Sequence, residues 1–254
     1  MKRLSICSRL LVIGSLAALA GCPSQTGVNS GPTTLTLNAL AITAKDPKVP
    51  DTWLPKVYLS WNEVPATSKY ELNLTGSTVP LQSTSATSFT HTPNDGVKEG
   101  RSYTYTVRAL DANNQQKIAS SAVTTEVLAH SIGAVPSVSV TPATGDKVTS
   151  TTPTISWSEV TGATGYWVKV VRIGDTETTV YAALVQGTSV KLGEWPLETV
   201  KWLQFDQSGK DATLTGGKNY KVNVQALATK KTNLAEAREV DVADESTKLF
   251  SVGN

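Results

Sequence analysis

The chain has 254 residues, with 23 Lys and Arg against 21 Asp and Glu, for a formal charge of only +2. So even a balance lacks the basic excess that nucleic-acid binding requires, and it excludes that class of partner. Both cysteines, Cys7 and Cys22, stand at the very start, so the remainder must fold on a hydrophobic core without an internal disulfide.

Lys2, Arg3 and Arg9 open the chain, and Leu10 to Ala20 is apolar or small throughout. At about 11 residues this run is too short for a helix that spans a bilayer, which needs ~20. It has the form of a secretory signal at residues 1–21. Its end, Leu19-Ala20-Gly21-Cys22, resembles the lipobox of bacterial lipoproteins: an aliphatic residue, two small residues and the acylated Cys. That resemblance implies lipidation of Cys22, a membrane partner reached through the N-terminal lipid, and a place in the bacterial cell envelope. Pro23 and Ser24 follow where enteric lipoproteins retained at the inner membrane carry Asp, which implies the outer membrane or cell surface. Removing residues 1–21 takes away three basic and no acidic side chains, leaving a mature charge of about −1. Residues 22–33 are rich in Ser, Thr, Gly, Pro and Asn and read as a lipidated tether.

One pattern then occurs twice. Val57, Leu59 and Trp61 alternate with polar residues, and Tyr70, Leu72 and Leu74 follow. Ile155 and Trp157 repeat the first run, and Tyr166, Val168 and Val170 the second. In both copies a Tyr stands nine residues after the Trp. Period-two alternation means strands with one buried face. Short strands separated by turn residues predict an all-β architecture of two tandem sandwiches, at 34–129 and 137–254, joined by a linker at 130–136. In the first, strands are expected over 34–42, 57–62, 70–74, 88–91, 102–110 and 118–128. Gly133 and Pro136 in the short linker predict some bending within an elongated pair.

Each copy carries a corner: Val97-Lys-Glu-Gly100-Arg-Ser-Tyr103 in the first and Leu214-Thr-Gly-Gly217-Lys-Asn-Tyr220 in the second. With the Trp and Tyr positions above, these segments are similar to the immunoglobulin-like fibronectin type III family. That family has a Trp near the end of its second strand, a Tyr opening its third, and a Leu-Lys-Pro-Gly-Thr-x-Tyr-like corner into its sixth. Val replaces Leu and Glu replaces Pro in the first copy. The resemblance implies that Tyr103 returns its hydroxyl to nearby backbone. It implies a fold and names no ligand. The chain has no Arg-Gly-Asp stretch for integrin-type adhesion.

The second copy is longer. Trp61 and Trp157 are 96 residues apart, but Tyr103 and Tyr220 are 117 apart, so most of the excess is an insertion near 193–210. It holds Trp195, Trp202 and Phe205. Trp167 is out of phase with Tyr166 and Val168 and is expected on an outer sheet face. These four aromatics are candidate ligand-binding residues, because long loops on rigid scaffolds often carry function. They serve equally well as a cover folded back on the sandwich, with Trp167 beneath the insertion. Trp53 is expected to pack over the open edge of the first sandwich. Either Glu239 to Ala243 or Leu249 to Val252 is expected to be the last strand. Asp241, Asp244 and Glu245 read as a solvated acidic loop.

His91 and His130 are the only histidines, and no zinc ligand set, phosphate-cradling Gly loop or nucleophile elbow accompanies them. The expectation is a non-enzymatic protein without cofactor or metal. It would bind a protein or glycan at the envelope, or serve there as a spacer or assembly subunit.

Overall fold

The computed structural model describes residues 34–49, 51–197 and 205–254. The leader, Cys22, the tether and Trp202 lie outside these residues. In the first sandwich the strands are β1 (Leu37–Lys45), β2 (Trp53–Trp61), β3 (Lys69–Leu74), β4 (Gln82–Thr84), β5 (Ser88–His91), β6 (Arg101–Leu110), β7 (Gln116–Ala119) and β8 (Val123–Val127). Sheet β1-β2-β5 packs against sheet β4-β3-β6, with β7 and β8 both beside β6. The run expected over 118–128 is thus two short strands. Val57, Leu59, Trp61, Tyr70, Leu72, Tyr105 and Val107 fill the core between the sheets, as their phase requires.

The second sandwich contains β9 (Val138–Thr141), β10 (Ala143–Thr144), β11 (Lys147–Val148), β12 (Thr154–Trp157), β13 (Gly165–Ile173), β14 (Thr178–Val185), β15 (Ser189–Lys191), β16 (Asn219–Ala228), β17 (Glu239–Val242) and β18 (Ser246–Val252). Sheet β15-β12-β9 faces a sheet in which β16 lies between β13 and β18. The internal repeat extends to cross-strand pairs: Leu59 faces Phe89 as Ile155 faces Val190. It extends to hydrogen bonds as well. Tyr70 Oη accepts from Val64 N at 2.9 Å, and Tyr166 Oη accepts from Val160 N at 3.0 Å.

Both corners close as the resemblance implies. Lys98 N donates to Tyr103 Oη at 2.8 Å, and that hydroxyl donates to Gly96 O at 3.2 Å. Thr215 N donates to Tyr220 Oη at 2.9 Å. Gly100 and Gly217 sit at φ +68° and +69°, where a Cβ is disfavoured. Replacing Tyr220 with Phe removes the bond but keeps the ring stacked on Phe250. The expected cost is about 1 kcal/mol, read from urea unfolding. A change below about 0.3 kcal/mol would mean that the ring alone makes the corner.

Both candidate last strands form. β18 is the final strand, pairing with β16 and, in parallel, with β11. β17 has a different role: one edge pairs with β16 and the other, in parallel, with β1 of the first sandwich. A single sheet, ten-stranded among the described residues, therefore passes from one sandwich into the other. This corrects the expectation of a bending linker. Ile132 and Val135 are buried in the core of the second sandwich, and Ser246 Oγ donates to Val135 O at 2.6 Å.

His91 is fully buried in the first core. Its Nε2–H donates to Asp95 O at 3.1 Å, which leaves Nδ1 to accept from Tyr105 Oη at 2.8 Å. Burial in turn pushes the Tyr105 phenol well above its ordinary range. Next to it, Thr92 donates through Oγ1 at 2.7 Å and N at 3.1 Å to Asp95 Oδ2. The Thr92 hydroxyl bond, with the backbone bond second, holds the Asp95 carboxyl below its usual 3.8. A depressed folded pKa means that this turn contributes stability above the unfolded pKa and loses it as pH falls through the folded one. Thr92→Ala removes the hydroxyl bond and keeps the backbone one, so it is expected to raise the Asp95 carboxyl part of the way back and lessen the acid slope of stability. NMR titration of the Asp95 carboxyl checks the shift, and an unmoved midpoint refutes the cause.

Candidate functional site

The four aromatics nominated by the sequence divide between two places, with Trp202 outside the described residues. Trp195 packs, partly buried, against the core of the second sandwich. The Lys210 ammonium lies 5.9 Å from its ring centroid. Phe205 turns the other way. It is 6% exposed and meets Trp167 edge-on, with ring centroids 5.4 Å apart. Trp167 does stand on the outer face of β13, as its phase requires, but the insertion covers it. The notion of an open aromatic face therefore fails at Phe205, which is a covering side chain.

Phe205 and Trp167 belong to a third apolar cluster, outside both sandwich cores. It contains Ile42 of β1, Leu184 of β14, Leu227 of β16, Val240 and Val242 of β17, and Leu234 and Ala237 of the preceding loop. Leu184, Leu227, Leu234 and Val240 are fully buried. Each such side chain is worth roughly 1.5–3 kcal/mol relative to exposure. The outer faces of the two sandwiches thus become an interior.

The insertion also guards an edge. Ala182 of β14 exchanges both backbone bonds with Ser208 at 2.9 Å. Leu184 N donates to Gln207 Oε1 at 2.9 Å, and Gln207 Nε2 donates to Leu197 O at 2.7 Å. Without these bonds β14 would present a long strand with unpaired groups, a template for aggregation.

Polar contacts close the joint. Asp241 of β17 is 1% exposed. Its Oδ2 accepts from Ser131 N at 2.7 Å, and its Oδ1 accepts from His130 Nδ1 at 2.8 Å. The His130 ring stacks on Trp53 of β2 at 3.8 Å. Asp244 binds Lys45 of β1 at 2.8 Å and raises its pKa, chiefly through that hydrogen bond. Thr125 Oγ1 donates to Arg238 O at 2.7 Å. The expected solvated acidic loop is corrected: Asp241 is a buried fastener of the linker, and Asp244 pairs across the joint. Trp53 packs against the linker, which the sequence did not indicate. Its 5.7 Å approach to Lys45 completes the same group.

Among the described residues no cluster of His, Cys, Asp or Glu has the make-up of a metal site, and no helix is long and apolar enough to cross a membrane. No family model matches the chain, and no curated protein matches it. Among solved structures it is similar to the chicken CNTN1 FN1-FN3 domains, at 13% identity and TM-score 0.38. That match covers 84% of this chain and 66% of the other, so the chain spans just under two thirds of that fragment. It is also similar to fibronectin(III)-like modules of Clostridium thermocellum CbhA, at 14% identity and TM-score 0.36, covering 78% and 85%. The fold is all-β and fibronectin type III-like. At such low similarity that statement rests on the strand order, register and paired corners of this chain.

Proposed function

We propose that this chain is a lipid-anchored protein of the bacterial cell envelope whose two sandwiches act as one rigid body, a spacer or assembly subunit. The observation that carries the reading is the third apolar cluster with its continuous sheet. Modules meant to swivel and bind separately have no use for a shared interior of Ile42, Leu184, Leu227 and Val240. Burial of Phe205 and cover over Trp167 favour it over recognition through the aromatic insertion. The lipobox segment supports the anchor, at the outer membrane or cell surface. The reading is non-catalytic, in keeping with the structural work of both histidines. Its partners are envelope proteins met at fixed positions.

The test is expression in a bacterium supplied with labelled palmitate, followed by cross-linking on intact cells. The wild type is expected to take up label, to sediment with membranes and to capture a small, constant set of envelope proteins. Cys22→Ser is expected to lose label and sedimentation. Label-free wild-type protein would end the lipid-anchor reading, and a chain that captures nothing would end the assembly reading.

A further inference from the structure

Away from the aromatic insertion, an open cleft of about 540 Å³ runs between the outer face of β6 and β8 and the 230–239 loop of the second sandwich. Its walls are held in place. Lys230 Nζ reaches both carboxylate oxygens of Glu126, at 2.8 and 2.7 Å. The Thr125–Arg238 bond fastens the floor, and the hydroxyls of Thr104 and Thr124 meet at 2.8 Å. Every lining side chain carries a polar group: hydroxyls from Ser102, Thr124 and Thr125, three carboxylates and three cations. Its volume falls within the roughly 300–1,000 Å³ usual for small-molecule sites, but those are mostly apolar and this one is not.

The lining selects a chemistry. An apolar ligand finds no apolar side chain here. A peptide's aromatic and aliphatic anchors find no pocket to fill. A uniformly charged polymer meets as many like charges as opposite ones. A saccharide chain without net charge fits, because each ring carries donors and acceptors around its rim. Carboxylates accept from its hydroxyls, while ammonium and guanidinium groups donate to them. We propose that this cleft binds an uncharged glycan chain, with Thr124, Lys231 and Arg238 as contact residues on its two walls. The site exists only because the sandwiches are fused, since each supplies one wall. With no aromatic platform to stack on, affinity is weak, on the order of millimolar.

Fluorescence anisotropy of labelled neutral hexasaccharides of glucose, mannose and N-acetylglucosamine, titrated with the full chain in detergent micelles, tests this. At least one is expected to saturate. Thr124→Leu, which puts an apolar side chain with no donor and no stacking ring into the cleft from an exposed position, is expected to weaken binding at least about tenfold. Lys231→Ala with Arg238→Ala is expected to weaken it at least about a hundredfold, as loss of two charged hydrogen bonds would. Leu249→Ser, far from the cleft, should leave it unchanged. Polygalacturonate and fully deacetylated chitosan hexamers should bind at least about tenfold more weakly, from like-charge contact. Thermal melts of each variant separate lost binding from lost fold. No saturation with any neutral glycan overturns the proposal, as does binding left unchanged by Thr124→Leu, tighter binding of a charged polymer, or displacement by a peptide pool. Cys22→Ser should bind equally, so the outcome is independent of the lipid-anchor reading.

Discussion

Asp241→Ala is expected to destabilise the chain by about 3 kcal/mol, because it leaves buried donors without their acceptor. On a body of this size that is a fall of roughly 6–12 °C in Tm. The carboxylate is 1% exposed, so water cannot replace it without an opening of the joint. Ser131 N–H and His130 Nδ1–H lose their partner together. The loss falls where β17 is held between β16 and β1, so it loosens the shared sheet as well as the linker. Asp241→Asn keeps the volume but turns an NH₂ group toward one of two donors, and an intermediate loss of about 2 kcal/mol is expected. Urea unfolding is the measurement. A single transition with unchanged slope is expected in wild type and variant, since sandwiches that share a core and a sheet should open together. Two separated transitions in the wild type would refute the rigid-body reading. A loss below about 1 kcal/mol would show that the linker needs no fastener.

The sequence was most informative where one physical rule acts alone. The two Trp–Tyr strand pairs and the two corners depend on local alternation and on a Gly with positive φ, and they formed as expected. The joint depends on contacts between residues more than a hundred positions apart, and no local rule reports those. A signal was nonetheless present. Leu37 and Ala39 occupy one phase of β1, yet Leu40 and Ile42 make the opposite phase apolar too. A strand apolar in both phases is buried on both faces, so β1 needed cover beyond its own sandwich. β17 hid the same fact behind charge. Asp241 read as solvated, but all four residues of the strand, Glu239 included, are buried. Buried carboxylates become intelligible only once their hydrogen-bond donors are placed, and the donors to Asp241 come from the linker. The aromatic insertion was ambiguous for a related reason. Residue type distinguishes an aromatic cover from an aromatic recognition face poorly, because both need large apolar area.

Phe205→Ala should cost about 3–5 kcal/mol, the usual range for a buried Phe truncated in a core. It is also expected to do more damage than its burial alone implies. Phe205 is the apolar anchor that precedes Gln207, Ser208 and Gly209, the residues bonded or packed to the edge of β14. Gly209 lies so close to that edge that an added Cβ would sit 2.2 Å from Val180 O, so the segment cannot shift inward to fill the void. Without its anchor the segment is expected to lift, opening the outer edge of β14 and uncovering Trp167 and Leu227. An uncovered edge beside an apolar face should associate with further copies. Sedimentation at rising concentration is the deciding measurement. Phe205→Leu, which keeps most of the apolar volume, should remain monomeric. Phe205→Ala should form higher species while its far-ultraviolet spectrum still reports β structure. If both variants stay monomeric with equal stability, the insertion is no edge guard. The aromatic segment would then be open again to recognition as its purpose.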